Sequence, residues 1–132
     1  MGASRRDLLA GAAGIAALGS FTSFKASAMS GTLYGLSGNF IAQPGKRDEL
    51  AAILMEAAGR MHQAKGCRLY VVATQPGDDN AVWVTEVWDS EADHKASLGL
   101  PGTPELIQRA RPLIAGMGNR FTTSVLGGHG LG

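Results

Sequence analysis

Ala81-Val82-Trp83-Val84-Thr85-Glu86-Val87-Trp88 decides the fold. β-Branched and aromatic side chains dominate these residues, which is the composition of a strand. Immediately before it, Pro76-Gly77-Asp78-Asp79-Asn80 is a dense turn signal. Before the turn, Cys67–Gln75 holds a second β-rich run, Leu69-Tyr70-Val71-Val72. Two strands joined by a short turn make an antiparallel hairpin. Alternation along the second strand puts Glu86 and Trp88 on one face and Trp83 on the other. An acid on a covered strand needs a partner, and Arg111 or Arg120 could supply a structural ion pair.

Working outward, Thr32–Ile41 is also strand-like, with apolar groups on both faces, so both faces are expected to be covered. Gln43-Pro44-Gly45 breaks it. From Lys46 to Lys65 the residues Leu50, Ile53, Leu54, Ala57, Met61 and Ala64 fall at helical spacing, and Glu56 and Arg60 form an i, i+4 pair. Gly66 is expected to cap that helix at its C-terminus. After the hairpin, Asp89 or Ser90 opens a helix to about Leu98, with Ser90-x-x-Asp93 similar to a capping box. Gly99, Pro101 and Gly102 interrupt it. Thr103 is expected to cap the next helix, with Pro104 at its first position, running to about Ala110. Asn119–Leu126 is the last strand, and residues 127–132 form a flexible Gly-rich tail carrying His129. The order β-α-β-β-α-β is the ferredoxin-like α+β arrangement, an antiparallel sheet with two helices on one face. The other face also carries apolar side chains, so a second copy of the chain is expected against it, in a homodimer.

The first thirty residues read as an address. Arg5-Arg6 precede an apolar run softened by Gly and Ala, then Lys25 and Ala26-Ser27-Ala28. A basic start, an apolar middle and an A-x-A site make an export signal, and the paired arginines resemble the twin-arginine class. The expectation is a signal at residues 1–28, a domain at 29–132, and a protein exported to the periplasm or beyond. Leu8 to Phe24 is too short and polar for a span needing ~20 apolar residues, so no stable membrane insertion is expected once the signal is cleaved. A net charge of +1 with scattered Lys and Arg argues against a nucleic-acid groove. The single cysteine, Cys67, excludes a disulfide within the chain and reads as a small apolar residue. No metal-ligand spacing links His62, His94 and His129, and no phosphate-binding loop or nucleophile elbow is present.

Three stretches carry a resemblance. They are Tyr34-Gly35-Leu36-Ser37-Gly38-Asn39-Phe40, Pro44-Gly45-Lys46-Arg47-Asp48-Glu49-Leu50, and Val82-Trp83-Val84-Thr85-Glu86-Val87-Trp88-Asp89-Ser90 followed by His94. Together they resemble antibiotic-biosynthesis-monooxygenase domains, the quinol monooxygenase branch most of all, over about residues 33–130. The resemblance implies a dimeric α/β barrel with a pocket between each sheet and its helices. It further implies oxidation of a phenol or quinol by O₂ without a cofactor or metal, so that the partners are a small aromatic substrate and O₂. The family also contains haem-degrading members and proteins of unknown substrate. A non-catalytic dimer binding a quinone, aromatic or haem-like ligand is therefore the alternative, and a bare interaction scaffold is a third.

Such chemistry needs a base for the phenolic proton, a donor for the oxyanion and a dry aromatic enclosure. His94 is the candidate base, since an ordinary imidazole titrates near ~6.5. A solvated His beside Asp93 and Lys95 is the plainer alternative. Asn39, among apolar residues on the first strand, is the candidate polar anchor, or an amide bonded to backbone. Trp88 is the candidate aromatic wall, and Phe40, Leu54, Trp83 and Glu86 are the candidate substrate contacts, against the simpler possibility that both tryptophans are core.

Overall fold

The computed structural model describes residues 31–131. The expected export signal lies outside the described residues. Four strands and two principal layers emerge. β1 (Leu33–Ala42) leads to α1 (Arg47–Arg60), which tightens into a 3₁₀ turn at Met61–Gln63. β2 (Cys67–Thr74) and β3 (Ala81–Trp88) form the hairpin. α2 (Glu91–Ser97) and α3 (Thr103–Ala110) follow, then a 3₁₀ turn at Arg111–Leu113 and β4 (Ile114–Val125). The sheet order is β2-β3-β1-β4, and every neighbouring pair is antiparallel. This is the ferredoxin-like α+β fold.

The hairpin turn is set by Asp78, whose Oδ1 accepts the backbone N–H groups of Asn80 at 2.9 Å and Ala81 at 3.0 Å. Those two bonds hold its carboxyl below the usual range. α2 starts where expected: Ser90 Oγ accepts the Asp93 N–H at 3.1 Å. Three expected boundaries are different. Gly66 does not cap α1. The helix ends at Arg60, and Gly66, at φ +81°, makes the bend into β2 while its carbonyl accepts the Asp89 N–H at 2.8 Å. Thr103 is the first helical residue of α3, and the N-cap is Gly102 at φ +91°. An Arg60 guanidinium fills the space that a side chain there would occupy. β4 begins at Ile114, well before Asn119, because Ala115-Gly116-Met117-Gly118 pairs with β1 despite its low strand propensity.

The core joins sheet and helices. Leu50 of α1 and Val82 of β3 have no exposed surface, and Ala42, Ile53, Leu106, Ala110 and Leu113 complete the cluster. The even-numbered residues of β3 face the helices. The opposite face carries a cross-strand row running Val71, Thr85, Ser37, Phe121, whose terminal members are 45% and 56% exposed. Leu50→Ala removes a fully buried side chain at the helix–sheet junction and is expected to cost about 2–5 kcal/mol. Urea unfolding followed by circular dichroism measures this, and a loss below about 1 kcal/mol contradicts the packing described.

Candidate active site

A cavity of about 350 Å³ lies between the helices and the sheet. That is at the small end of the range for small-molecule sites, roughly 300–1,000 Å³. Its sheet wall is apolar through Leu36, Phe40 and Val84, and α1 adds Leu50, Ile53 and Leu54. Phe40 and Leu54, both expected as substrate contacts, are therefore on the wall. Polar groups from distant parts of the chain also line it.

The first is Glu86. One cross-strand row on the helix-facing side reads Tyr70, Glu86, Leu36, Thr122. Glu86 Oε1 accepts Trp88 Nε1–H at 3.0 Å and lies 3.8 Å from His94 Nε2. Both side chains are only 12% exposed, and both line the cavity. His94 thus points inward and is not a solvated residue of the α2 surface. Its ring centroid is 5.8 Å from that of Tyr34 and 5.6 Å from that of Trp88, the latter edge-on. Burial pushes the Glu86 carboxyl above its ordinary value, against the Trp88 N–H, His94 and Arg120, which favour the anion.

Tyr70, directly opposite Glu86, also lines the cavity. Burial, then Glu86 and Cys67, push its phenol well above the ordinary value, so it remains a neutral hydroxyl. Nothing in the β2 sequence singled out Tyr70. Only its registration against Glu86 places it in the site. The half-buried Cys67 has its thiol raised by burial and by Glu86, which disfavours the reactive thiolate.

Asn39 is buried and reaches the cavity, but its oxygen is already engaged. Oδ1 accepts the Asn119 N–H at 2.7 Å, where the β1–β4 ladder shifts register between Gly38 and Phe40. Gly118 is required there, since a Cβ would lie 2.5 Å from that Oδ1. Among the described residues Nδ2 makes no hydrogen bond, and it is the part of Asn39 open to a ligand.

Two expected site residues are displaced. Trp88 has no exposed surface and so cannot wall the cavity; it sits behind Glu86 and holds the carboxylate. Trp83 lies on the opposite sheet face, where its Nε1 donates to Gln75 Oε1 at 3.2 Å. Glu86 finds its close partners in Trp88 and His94. Arg120 acts on it through its charge, and Arg111 is not among its partners. His129 does not line the cavity, and His62 Nδ1 bonds the Gly59 carbonyl at 2.9 Å. Among the described residues no group of three His, Cys, Asp or Glu side chains gathers as a metal site would.

Residues 34–107 match the family described as antibiotic biosynthesis monooxygenase. The chain belongs to the antibiotic biosynthesis monooxygenase family. A crystal structure of a candidate antibiotic biosynthesis monooxygenase from Chloroflexus aurantiacus J-10-fl is 50% identical, with a TM-score of 0.71, covering 76% of this chain and 99% of that one. A second candidate member, from Deinococcus radiodurans, is 22% identical over 70% of this chain and 91% of that one, at a TM-score of 0.60. A Mycobacterium tuberculosis protein is 16% identical over 74% and 98% of the two chains, at 0.63. These last two show the shared fold. No curated protein matches the chain. For this monooxygenase-family domain, the Glu86–His94 pair is the feature with chemical content.

The Glu86 shift has a measurable consequence. Folded Glu86 keeps its proton to higher pH than the unfolded chain, whose carboxyl titrates near 4.5. The native state therefore binds more protons just above that pH, and this residue's contribution to stability falls as pH rises through the raised value. Glu86→Gln retains an acceptor for Trp88 and removes the charge. The variant is expected to gain on the wild type in urea unfolding as pH rises from the ordinary carboxyl value of 4.5 through the raised one. A variant that loses ground over that interval contradicts the assignment.

Proposed function

We propose that the protein is a monooxygenase that oxidises a phenol or quinol with O₂ and no added cofactor. The observation that carries this reading is the Glu86 carboxylate beside the His94 imidazole, 3.8 Å apart in the wall of an apolar cavity. O₂ is a triplet and reacts slowly with closed-shell molecules. A phenolate overcomes this by giving O₂ one electron.

In this reading His94 takes the phenolic proton, and Glu86 stabilises the imidazolium that results. Arg120, on the same wall, holds the oxyanion electrostatically. Asn39 Nδ2 and the neutral Tyr70 hydroxyl are donors for a second oxygen on the ring. The phenolate passes one electron to O₂, giving a ring radical and superoxide. They recombine through a new carbon–oxygen bond as a hydroperoxide. Loss of water breaks the O–O bond and leaves a carbonyl. A phenol with a free para position and O₂ thus yield a quinone and water; a hydroquinone yields a hydroxyquinone and water. The substrate supplies every electron, so no external reductant enters. The apolar walls from Phe40, Leu54 and Val84 exclude water while the radicals are separate.

Two further elements belong to the proposal. A second copy of the chain packs on the face bearing Val71, Trp83 and Phe121, which would remove the exposed Val71 and Phe121 from water. Light scattering is expected to give a dimer mass, reduced to a monomer by Val71→Glu with Phe121→Glu; a wild-type monomer overturns this. Residues 1–28 direct export by the twin-arginine route, on the strength of Arg5-Arg6 and the Ala26-Ser27-Ala28 site.

Oxygen-electrode assays with a hydroquinone test the reaction. Purified protein is expected to consume O₂, and His94→Ala to slow consumption about 10²–10⁴-fold. An unchanged rate in that variant removes His94 as the base. Ligand-dependent quenching of tryptophan emission with no O₂ uptake supports a non-catalytic binding module instead.

A further inference from the structure

The cavity's charged groups do not balance. Three arginines, Arg60, Arg111 and Arg120, are among its lining residues, against one acidic residue, Glu86. Arg60 lies 3.5 Å from Glu56, but Glu56 is already bonded by Arg109 at 3.0 and 3.1 Å, so one anion serves two cations. Arg120 acts on Glu86, whose burial disfavours its charged form. The backbone of Arg111 is bonded to Ile107 and Ile114, but its side chain makes no hydrogen bond or ion pair among the described residues. It stands at the exposed edge of the cavity, immediately after α3, with half-exposed Ile107 one helical turn before it and exposed Met117 on β4. A guanidinium on an apolar rim, above a cavity with a polar pair inside, fits an amphiphilic guest with an anionic end.

We propose, building on the oxygenase reading, that the substrate is an aromatic hydroxy compound that also carries a carboxylate, and that Arg111 recognises it. The ring occupies the space between Phe40, Leu54 and Val84, the hydroxyl meets Glu86 and His94, and the carboxylate meets the guanidinium at the mouth. Arg suits this role because its planar fork matches two carboxylate oxygens and stays charged at every relevant pH.

Calorimetric titration under anaerobic conditions tests this with two probes, 2,5-dihydroxybenzoate and hydroquinone. The wild type is expected to bind the carboxylated probe at least about tenfold more tightly. Arg111→Gln is expected to bring the two affinities to near equality, and Arg111→Lys to restore part of the preference. Raising the salt to about 0.5 M should shrink the wild-type preference. Equal wild-type affinities, a preference unchanged in Arg111→Gln, or no binding of either probe overturns the proposal. If Arg111→Gln fails to fold, Arg111→Lys and the salt dependence decide. Because O₂ is absent, the experiment reads binding apart from turnover. A carboxylate preference that depends on Arg111, together with no O₂ uptake in air, rejects the oxygenase reading and retains this one.

Discussion

The two-residue repeat of β3 forces Glu86 onto the same face as Val82, Val84 and Trp88. A one-residue slip would put those apolar groups on the wrong side of the sheet, so the acid cannot escape to solvent without unmaking the core. The burial that holds the helices on the sheet therefore also fixes a carboxylate in an apolar wall. Trp88 makes this tolerable: it is fully packed and still directs its N–H at the acid, two residues away on the same face. His94 arrives on the next helix, whose start is fixed by Ser90.

The hairpin and the element order are legible in the sequence because their signals are local. Asp78 and its neighbours specify the turn, and the run from Ala81 to Trp88 has the observed strand boundaries. The start of β4 is not legible, because glycines alternate through residues that become a strand only by pairing with β1. There the partner matters more than propensity: the Asn39 side chain occupies the space a residue larger than Gly118 would need. Gly102 in place of Thr103 as the cap has a similar origin, in the guanidinium of a distant helix.

The site divides along the same line. His94, Glu86, Asn39, Phe40 and Leu54 come from patterns within single elements, and all five reach the cavity. Tyr70 depends on cross-strand registration, which no local pattern encodes, whereas Arg120, expected as a partner of Glu86, acts on it through its charge. Trp88 shows the converse. Its size and alternation point toward a pocket wall, yet complete burial turns it into support for the residue in front of it.

Tyr70 has one more implication. A tyrosinate gives up an electron readily, while a phenol that keeps its proton resists oxidation. Burial and the neighbouring carboxylate hold Tyr70 in the resistant form. The cavity thus denies ionisation to its own aromatic alcohol, so the Tyr70 ring is a poor source of electrons.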